Sequence, residues 1–169
     1  MTRYLLIAAL LFSASVTIYP QNHIKVGSPA PQFTATGVDG RKYDLAALRG
    51  SPVVLTFWST RCAICQSEMP KLDQMVARYG SKNVVFLSAT PEPESRVKYY
   101  LSLNRVATTI LPDSFGLMLQ YADRDASGYV NIMYPAYFVI DGSGTLQYRG
   151  NGYSKIAAVS GTLDRLLAN

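Results

Sequence analysis

The chain has 169 residues, 49% of them apolar, and a formal net charge of +5 at neutral pH. That length suits one domain with a sizeable core plus a short extra segment, and nothing in the composition reads as disordered. The Lys and Arg residues are scattered, without basic runs or basic–aromatic interleaving, which argues against a nucleic-acid partner.

Residues 1–19 form the first unit. Arg3 is followed by an apolar stretch from Tyr4 to Phe12 and then by small and β-branched residues up to Pro20. A basic start, an apolar middle and small residues afterwards make a signal-peptide layout, with Ser13-Ala14-Ser15 as the best cleavage candidate. The apolar stretch is slightly short of the ~20 residues a spanning helix needs, so a cleaved signal and an N-terminal membrane anchor over residues 4–19 both stay open. Either one predicts a periplasmic or other extracytoplasmic location for residues 20–169, because a basic N-terminus tends to stay inside.

Beyond a linker over residues 19–28, strand and helix patterns alternate. "SPVVLTFW" is a fully apolar run rich in β-branched and aromatic residues and predicts a central strand. Ile64, Met69, Leu72, Met75, Val76 and Tyr79 recur at helical spacing over 63–79. "NVVFLSAT" predicts a second central strand, "SRVKYYLSLNR" a helix, "ATTIL" a short strand and "SFGLMLQYA" another helix. "PAYFVIDGSGTLQYRG" predicts two strands joined by a tight turn. Ile156, Val159, Leu163, Leu166 and Leu167 mark one face of a last helix. The fold class is therefore α/β, with a mixed sheet flanked by helices.

Cys62 and Cys65 are the only cysteines, and they follow directly on the first central strand. A zinc site needs about four ligands, whereas the chain offers two cysteines and one histidine, His23, far away in the linker. A structural disulfide at this spacing closes too short a loop to constrain the unfolded chain much. A redox couple needs this arrangement: one thiol at the first turn of a helix, where the dipole favours the thiolate, and its partner one turn later. A C-x-x-C between a buried strand and a helix is thus a redox signature. No metal and no cofactor beyond the cysteine pair is expected.

From about Val26 to Asn169 the sequence resembles the extracytoplasmic thioredoxin-like family of thiol-disulfide oxidoreductases, the TlpA/ResA type, redoxin or AhpC-TSA-like. The stretches that carry the resemblance are "VGSPAPQFTATGVDGRKYDLAALRGSPVVLTFWSTRCAICQSEMP", "VVFLSAT" and "YPAYFVIDGSGTLQYRG". The resemblance implies a thioredoxin-like fold with an N-terminal extension and a central βα insertion. It also implies Cys62 as the attacking thiol, Cys65 as the resolving thiol, and Pro135 as a proline held cis beside the dithiol. Pro70 matches the family's helix-kinking proline. Trp58, Arg61, Ala63, Ile64 and Tyr134 flank these positions and are the candidate binding residues.

Glu68 lies three residues after Cys65, so on a helix the two side chains are neighbours. Its surroundings, Ile64, Met69 and Leu72, suggest partial burial, which suits a carboxyl that handles a proton. The resemblance agrees, since "C-x-x-C-x-x-E" places an active-site glutamate there. Cytoplasmic thioredoxins carry an aspartate six residues before the first cysteine, where this chain has Thr56. The family commonly has Trp and Pro where Arg61 and Ile64 stand here. Arg61 is expected to favour the Cys62 thiolate. The stretch 123–133 looks longer than the family's usual link into the proline, and it is either a partner-selecting loop near the dithiol or a neutral surface loop.

The expected function is an extracytoplasmic thiol-disulfide oxidoreductase, acting as a reductant of protein disulfides. The resemblance implies a membrane electron donor and a specific extracytoplasmic protein substrate; family members serve cytochrome c maturation, copper-site assembly and thiol repair. Two alternatives stand beside it. A peroxiredoxin-like thiol peroxidase needs a Pro where Leu55 stands, although Ser59 fits. A non-catalytic binding module would keep the fold and use the pair as a staple.

Overall fold

The computed structural model describes residues 24–125 and 127–168. The expected signal or anchor over residues 1–19 lies outside them. Among the described residues, no helix is long and apolar enough to cross a membrane.

The frame is a five-stranded sheet built from β3 (Val53–Phe57), β4 (Val85–Ala89), β5 (Thr109–Leu111), β8 (Ala136–Ile140) and β9 (Leu146–Asn151). Their order is β5-β4-β3-β8-β9, with β3, β4 and β5 mutually parallel and β8 antiparallel to both β3 and β9. All five residues of β3 and of β8 are buried. A strand covered on both faces reads as a continuous apolar run, which is why "PVVLTF" and "AYFVI" carry no polar alternation.

Alternation along β3 divides the core. Val53, Leu55 and Phe57 point into one cluster with Leu117, Met118 and Tyr121 of α3 (Phe115–Tyr121). Val54 and Trp58 point into the other. There they meet Leu72 of α1 (Ala63–Tyr79), Val97 of α2 (Glu94–Leu103) and Val159 and Leu163 of α4 (Ile156–Leu167). Leu55 is fully buried, and Leu55→Ala should cost about 2–5 kcal/mol by chemical denaturation, because the rigid sheet closes poorly around the void.

Two features depart from the sequence reading. Residues 27 and 28, expected as linker, pair with the edge strand: Gly27 N–H donates to the Leu146 carbonyl and Leu146 N–H to that of Ser28. A short ladder, β1 (Thr34–Thr36) with β2 (Lys42–Asp44), follows them. The stretch 123–133 is a β-hairpin, with β6 (Asp123–Arg124) paired to β7 (Val130–Asn131). Its turn repeats the β8–β9 turn. Asp125 accepts from the N–H and hydroxyl of Ser127 and from Tyr129 N–H, as Asp141 does from Ser143 and Thr145. The glycines that follow, Gly128 and Gly144, have φ of +82° and +81°, a left-handed conformation that suits a residue without Cβ.

Candidate active site

Strand β3 delivers the chain to a tight turn at Ser59–Arg61, and α1 begins immediately afterwards. Cys62 is the N-cap of that helix, and its Sγ accepts Cys65 N–H at 3.1 Å. A sulfur in this place lies on the positive end of the helix and in line with an unused backbone donor, both of which favour a thiolate. Cys62 and Cys65 are joined as a disulfide with Cα atoms 5.2 Å apart. Their exposures differ: Cys65 is 2% exposed and packed in the core, whereas Cys62 is half-buried at its rim.

The turn before the pair is held by a residue that sequence reasoning did not single out. Glu92 accepts from Thr60 N–H and Thr60 Oγ1, both at 2.8 Å, and from Ser59 Oγ and Thr90 Oγ1, both at 3.1 Å. Burial opposes its charge, but the hydrogen bonds from Thr60, Ser59 and Thr90 outweigh burial and hold the carboxyl below its usual range. A depressed folded value means that this contribution to stability is present above the unfolded carboxyl range and is lost as pH falls through the folded value. Glu92→Gln should therefore lower neutral-pH stability by about 1–2 kcal/mol and flatten the acid limb of a Tm–pH profile.

Glu68 is buried more completely than its neighbours in sequence suggested. It is 1% exposed and is the only charged side chain buried among the described residues. With Cys65, Leu72, Met75 and Tyr79 it forms the inward stripe of α1, at spacings of three and four. Its Oε2 accepts the Tyr137 hydroxyl at 2.6 Å; its Oε1 accepts Ser154 N–H at 3.1 Å and Lys71 Nζ at 3.3 Å. Three donors offset the cost of burying the carboxylate. Burial, followed by the hydrogen bond to Glu68 and its charge, pushes the Tyr137 phenol far above its ordinary range. One signal in the sequence pointed to Tyr137: a phenol inside a wholly apolar strand needs a partner for its hydroxyl.

The other expected site residues divide between contact surface and support. Arg61 and Ala63 are exposed, as is Ile64 at 45%. Ile64, expected on the apolar stripe of the helix, instead faces solvent beside the cysteines. Trp58, expected as a binding residue, is fully buried against the Tyr100 ring and supports the site from below. Pro135 is buried and its peptide bond with Tyr134 is cis. Tyr134 touches both core clusters and Cys62 packs in one of them, so the proline loop and the dithiol share the same end of the sheet. Pro70 lies inside α1 on its exposed side.

Thr56, at the position of the thioredoxin aspartate, is 1% exposed, and its hydroxyl has no hydrogen-bond partner among the described residues. The 123–133 hairpin packs on one face of the sheet. Ile132 packs on the α3 side of the sheet and Asp123 pairs with Arg149 of β9, whereas the cysteines belong to the α1 side. Among the described residues, no three His, Cys, Asp or Glu side chains converge as a metal site.

A cysteine pair at a strand-to-helix junction, a cis-proline loop at the same sheet end and a buried carboxylate one turn along the helix define a thiol-disulfide oxidoreductase of thioredoxin-like fold. The AhpC/TSA family signature matches residues 26–149, and the chain belongs to that family. It is similar to the thiol-disulfide oxidoreductase ResA of Geobacillus thermodenitrificans, with 29% identity over 145 residues, 85% of this chain and 79% of that protein. ResA of Bacillus cereus is 30% identical over 105 residues, 59% of this chain and 61% of that protein. Among solved structures, a secreted disulfide oxidoreductase of Mycobacterium tuberculosis is 28% identical with a TM-score of 0.63, over 80% of this chain and 96% of that one.

Proposed function

We propose that the protein reduces disulfides of protein partners outside the cytoplasm, with Cys62 as the attacking thiol, Cys65 as the resolving thiol and Glu68 as the proton acceptor. The observation that carries this reading is the asymmetry of the pair. One sulfur sits at the rim on a helix N-terminus; the other is buried one turn before a buried carboxylate. In the dithiol form the Cys62 thiolate attacks a partner disulfide, one partner sulfur leaves as thiolate, and a mixed disulfide forms. Glu68 then takes the Cys65 proton and the Cys65 thiolate attacks Cys62 Sγ. The partner leaves with both sulfurs reduced, and the pair ends as the disulfide seen here. Two electrons move from this chain to the partner, and a membrane electron donor would return them.

Exposed Ile64, beside the rim cysteine, and exposed Met133, just before the proline loop, give an apolar surface for an extended partner segment. The extracytoplasmic location rests on the layout of Arg3 and the following apolar stretch, and the solved Mycobacterium relative is itself a secreted protein. An alkaline phosphatase fusion at about residue 25 should be active in cells; an inactive fusion places the domain inside. The direct test of activity is insulin-disulfide reduction together with turnover of hydrogen peroxide. The proposal expects the first and negligible peroxidase activity. The reverse pattern identifies a thiol peroxidase, and neither activity identifies a binding module.

The hairpin supplies a separate expectation. Replacing 124–130 with a shorter turn should leave the reduction potential and the reaction with oxidised glutathione unchanged, because Ile132 anchors the hairpin in the α3-side cluster whereas Cys65 is buried in the other. Reaction with the physiological partner should slow if Tyr129, 70% exposed at its tip, touches that partner. Equal slowing toward glutathione would show that the hairpin supports the site instead.

A further inference from the structure

The hydrogen bonds to Glu68 divide unequally between its two oxygens. Oε1 accepts from Ser154 N–H and from Lys71, whereas Oε2 accepts from the Tyr137 hydroxyl alone among the described residues. A carboxylate offers about two lone-pair positions on each oxygen. Oε1 is therefore filled, and Oε2 keeps one position free. Cys65 lies one turn before Glu68 on the same buried stripe of α1, so the two side chains are neighbours.

We propose that Tyr137 is a positioning residue for the exchange reaction: its hydroxyl fixes Oε2 as the atom that takes the Cys65 proton and sets the pH range in which that oxygen can take it. The inference rests on the reading of Glu68 as the base and adds a second residue to it. Tyr137 lies two residues beyond Pro135 on β8, so the strand that carries the proline loop also carries the donor. Its phenol, held far above its ordinary range by burial and by Glu68, stays protonated and remains a donor wherever the dithiol reacts. The opposite oxygen is held with similar commitment. Ser154 has φ of +63°, a left-handed conformation unfavourable to a non-glycine residue, and in it Ser154 points its N–H at Oε1. The charged and titratable groups around the carboxylate are Cys65 and Lys71 of α1, Tyr137 of β8, and Tyr148 of β9, which acts on Tyr137. Tyr153 and Lys155 flank Ser154 in the loop before α4.

A tyrosine that merely satisfied a buried carboxylate would affect stability alone. A positioning tyrosine also moves a pH profile. The reduced protein is mixed with 5,5′-dithiobis(2-nitrobenzoate), and thionitrobenzoate release is followed in two phases between pH 5 and 9. In the first phase Cys62 attacks the probe disulfide and one thionitrobenzoate leaves. In the second, the Cys65 proton passes to Oε2, the Cys65 thiolate attacks Cys62 Sγ, and the other thionitrobenzoate leaves as the pair closes to a disulfide.

Tyr137→Phe removes one hydrogen bond to the ionised carboxylate and so disfavours that form. The first phase should be unchanged. The acid limb of the second should move up by about one pH unit, slowing release on that limb by about tenfold. In a Glu68→Gln background the same substitution should have no further effect on the second phase. Replacing Tyr137 with 3-fluorotyrosine keeps the shape, strengthens the donor and should move the limb down, which tests the proposal even if Tyr137→Phe folds poorly. A wild-type limb in both Tyr137 variants, with Glu68→Gln slow, overturns the role of Tyr137 and leaves the base reading intact. A wild-type second phase in Glu68→Gln overturns the base reading and this inference with it.

Discussion

Glu68→Gln should slow release of a mixed disulfide by a factor of about 10² or more while leaving the initial attack by Cys62 nearly unchanged. The substitution keeps the shape of the side chain and removes its capacity to take a proton. The site can accommodate the amide. Its oxygen can accept Ser154 N–H and Lys71, and its NH₂ can donate to the Tyr137 hydroxyl, which rotates to accept. Removing a buried charge while its surroundings stay hydrogen-bonded is often neutral for stability, so Tm should change little. Glu68→Ala should behave differently. It leaves a buried phenol and a buried N–H without an acceptor, each costing about 1–3 kcal/mol, and the protein should be visibly destabilised in urea as well as slow. Unperturbed turnover of protein disulfides by Glu68→Gln between pH 6 and 8 would remove Glu68 from the mechanism.

The two cysteines should also prove unequal. In the reduced protein, iodoacetamide near neutral pH should modify Cys62 about tenfold or more faster than Cys65, counting only the thiolate fraction that a helix N-terminus supplies. Burial of Cys65 at 2% exposure widens the difference, because the reagent reaches it only through local opening. Arg61 beside Cys62 adds less than its charge suggests, since an exposed side chain is screened by solvent. Cys62→Ser should abolish exchange with protein disulfides, having lost the one sulfur a partner can reach. Cys65→Ser should instead accumulate stable mixed disulfides through Cys62, which makes it the variant with which to capture the physiological partner from cells. Preferential labelling of Cys65, or trapping by Cys62→Ser, would reverse the assignment of roles.

Much of this was legible locally. The apolar runs that became β3, β4 and β8, the helical spacing that became α1 and α4, and the Asp-Gly-Ser-Gly turn between β8 and β9 each follow from interactions within a few residues. The cysteine pair is local in the same sense. Its spacing and its place after a buried strand set one sulfur at a helix N-terminus before any tertiary contact forms. The hairpin within 123–133 reads from the sequence only as a loop, although "DASGY" repeats the pattern of "DGSGT" and the same aspartate-to-backbone bonds close both turns.

The tertiary structure decided what surrounds that sulfur pair. Glu68 was visible as a carboxylate one turn from Cys65, but its complete burial depends on Tyr137 and Ser154, which stand 69 and 86 residues further along the chain. Glu92 reaches the turn before Cys62 from 32 residues away, and nothing in "TPEPES" marks it as more than a loop carboxylate. Tertiary packing likewise buries Trp58 and leaves Ile64 exposed off the inward stripe of α1, against the simplest reading of each. Periodicity reports which face of an element is apolar; it carries no information about which distant donor will meet a polar group on that face. Burying a carboxylate requires such donors to converge from separate strands and loops, and that convergence exists only in the folded chain.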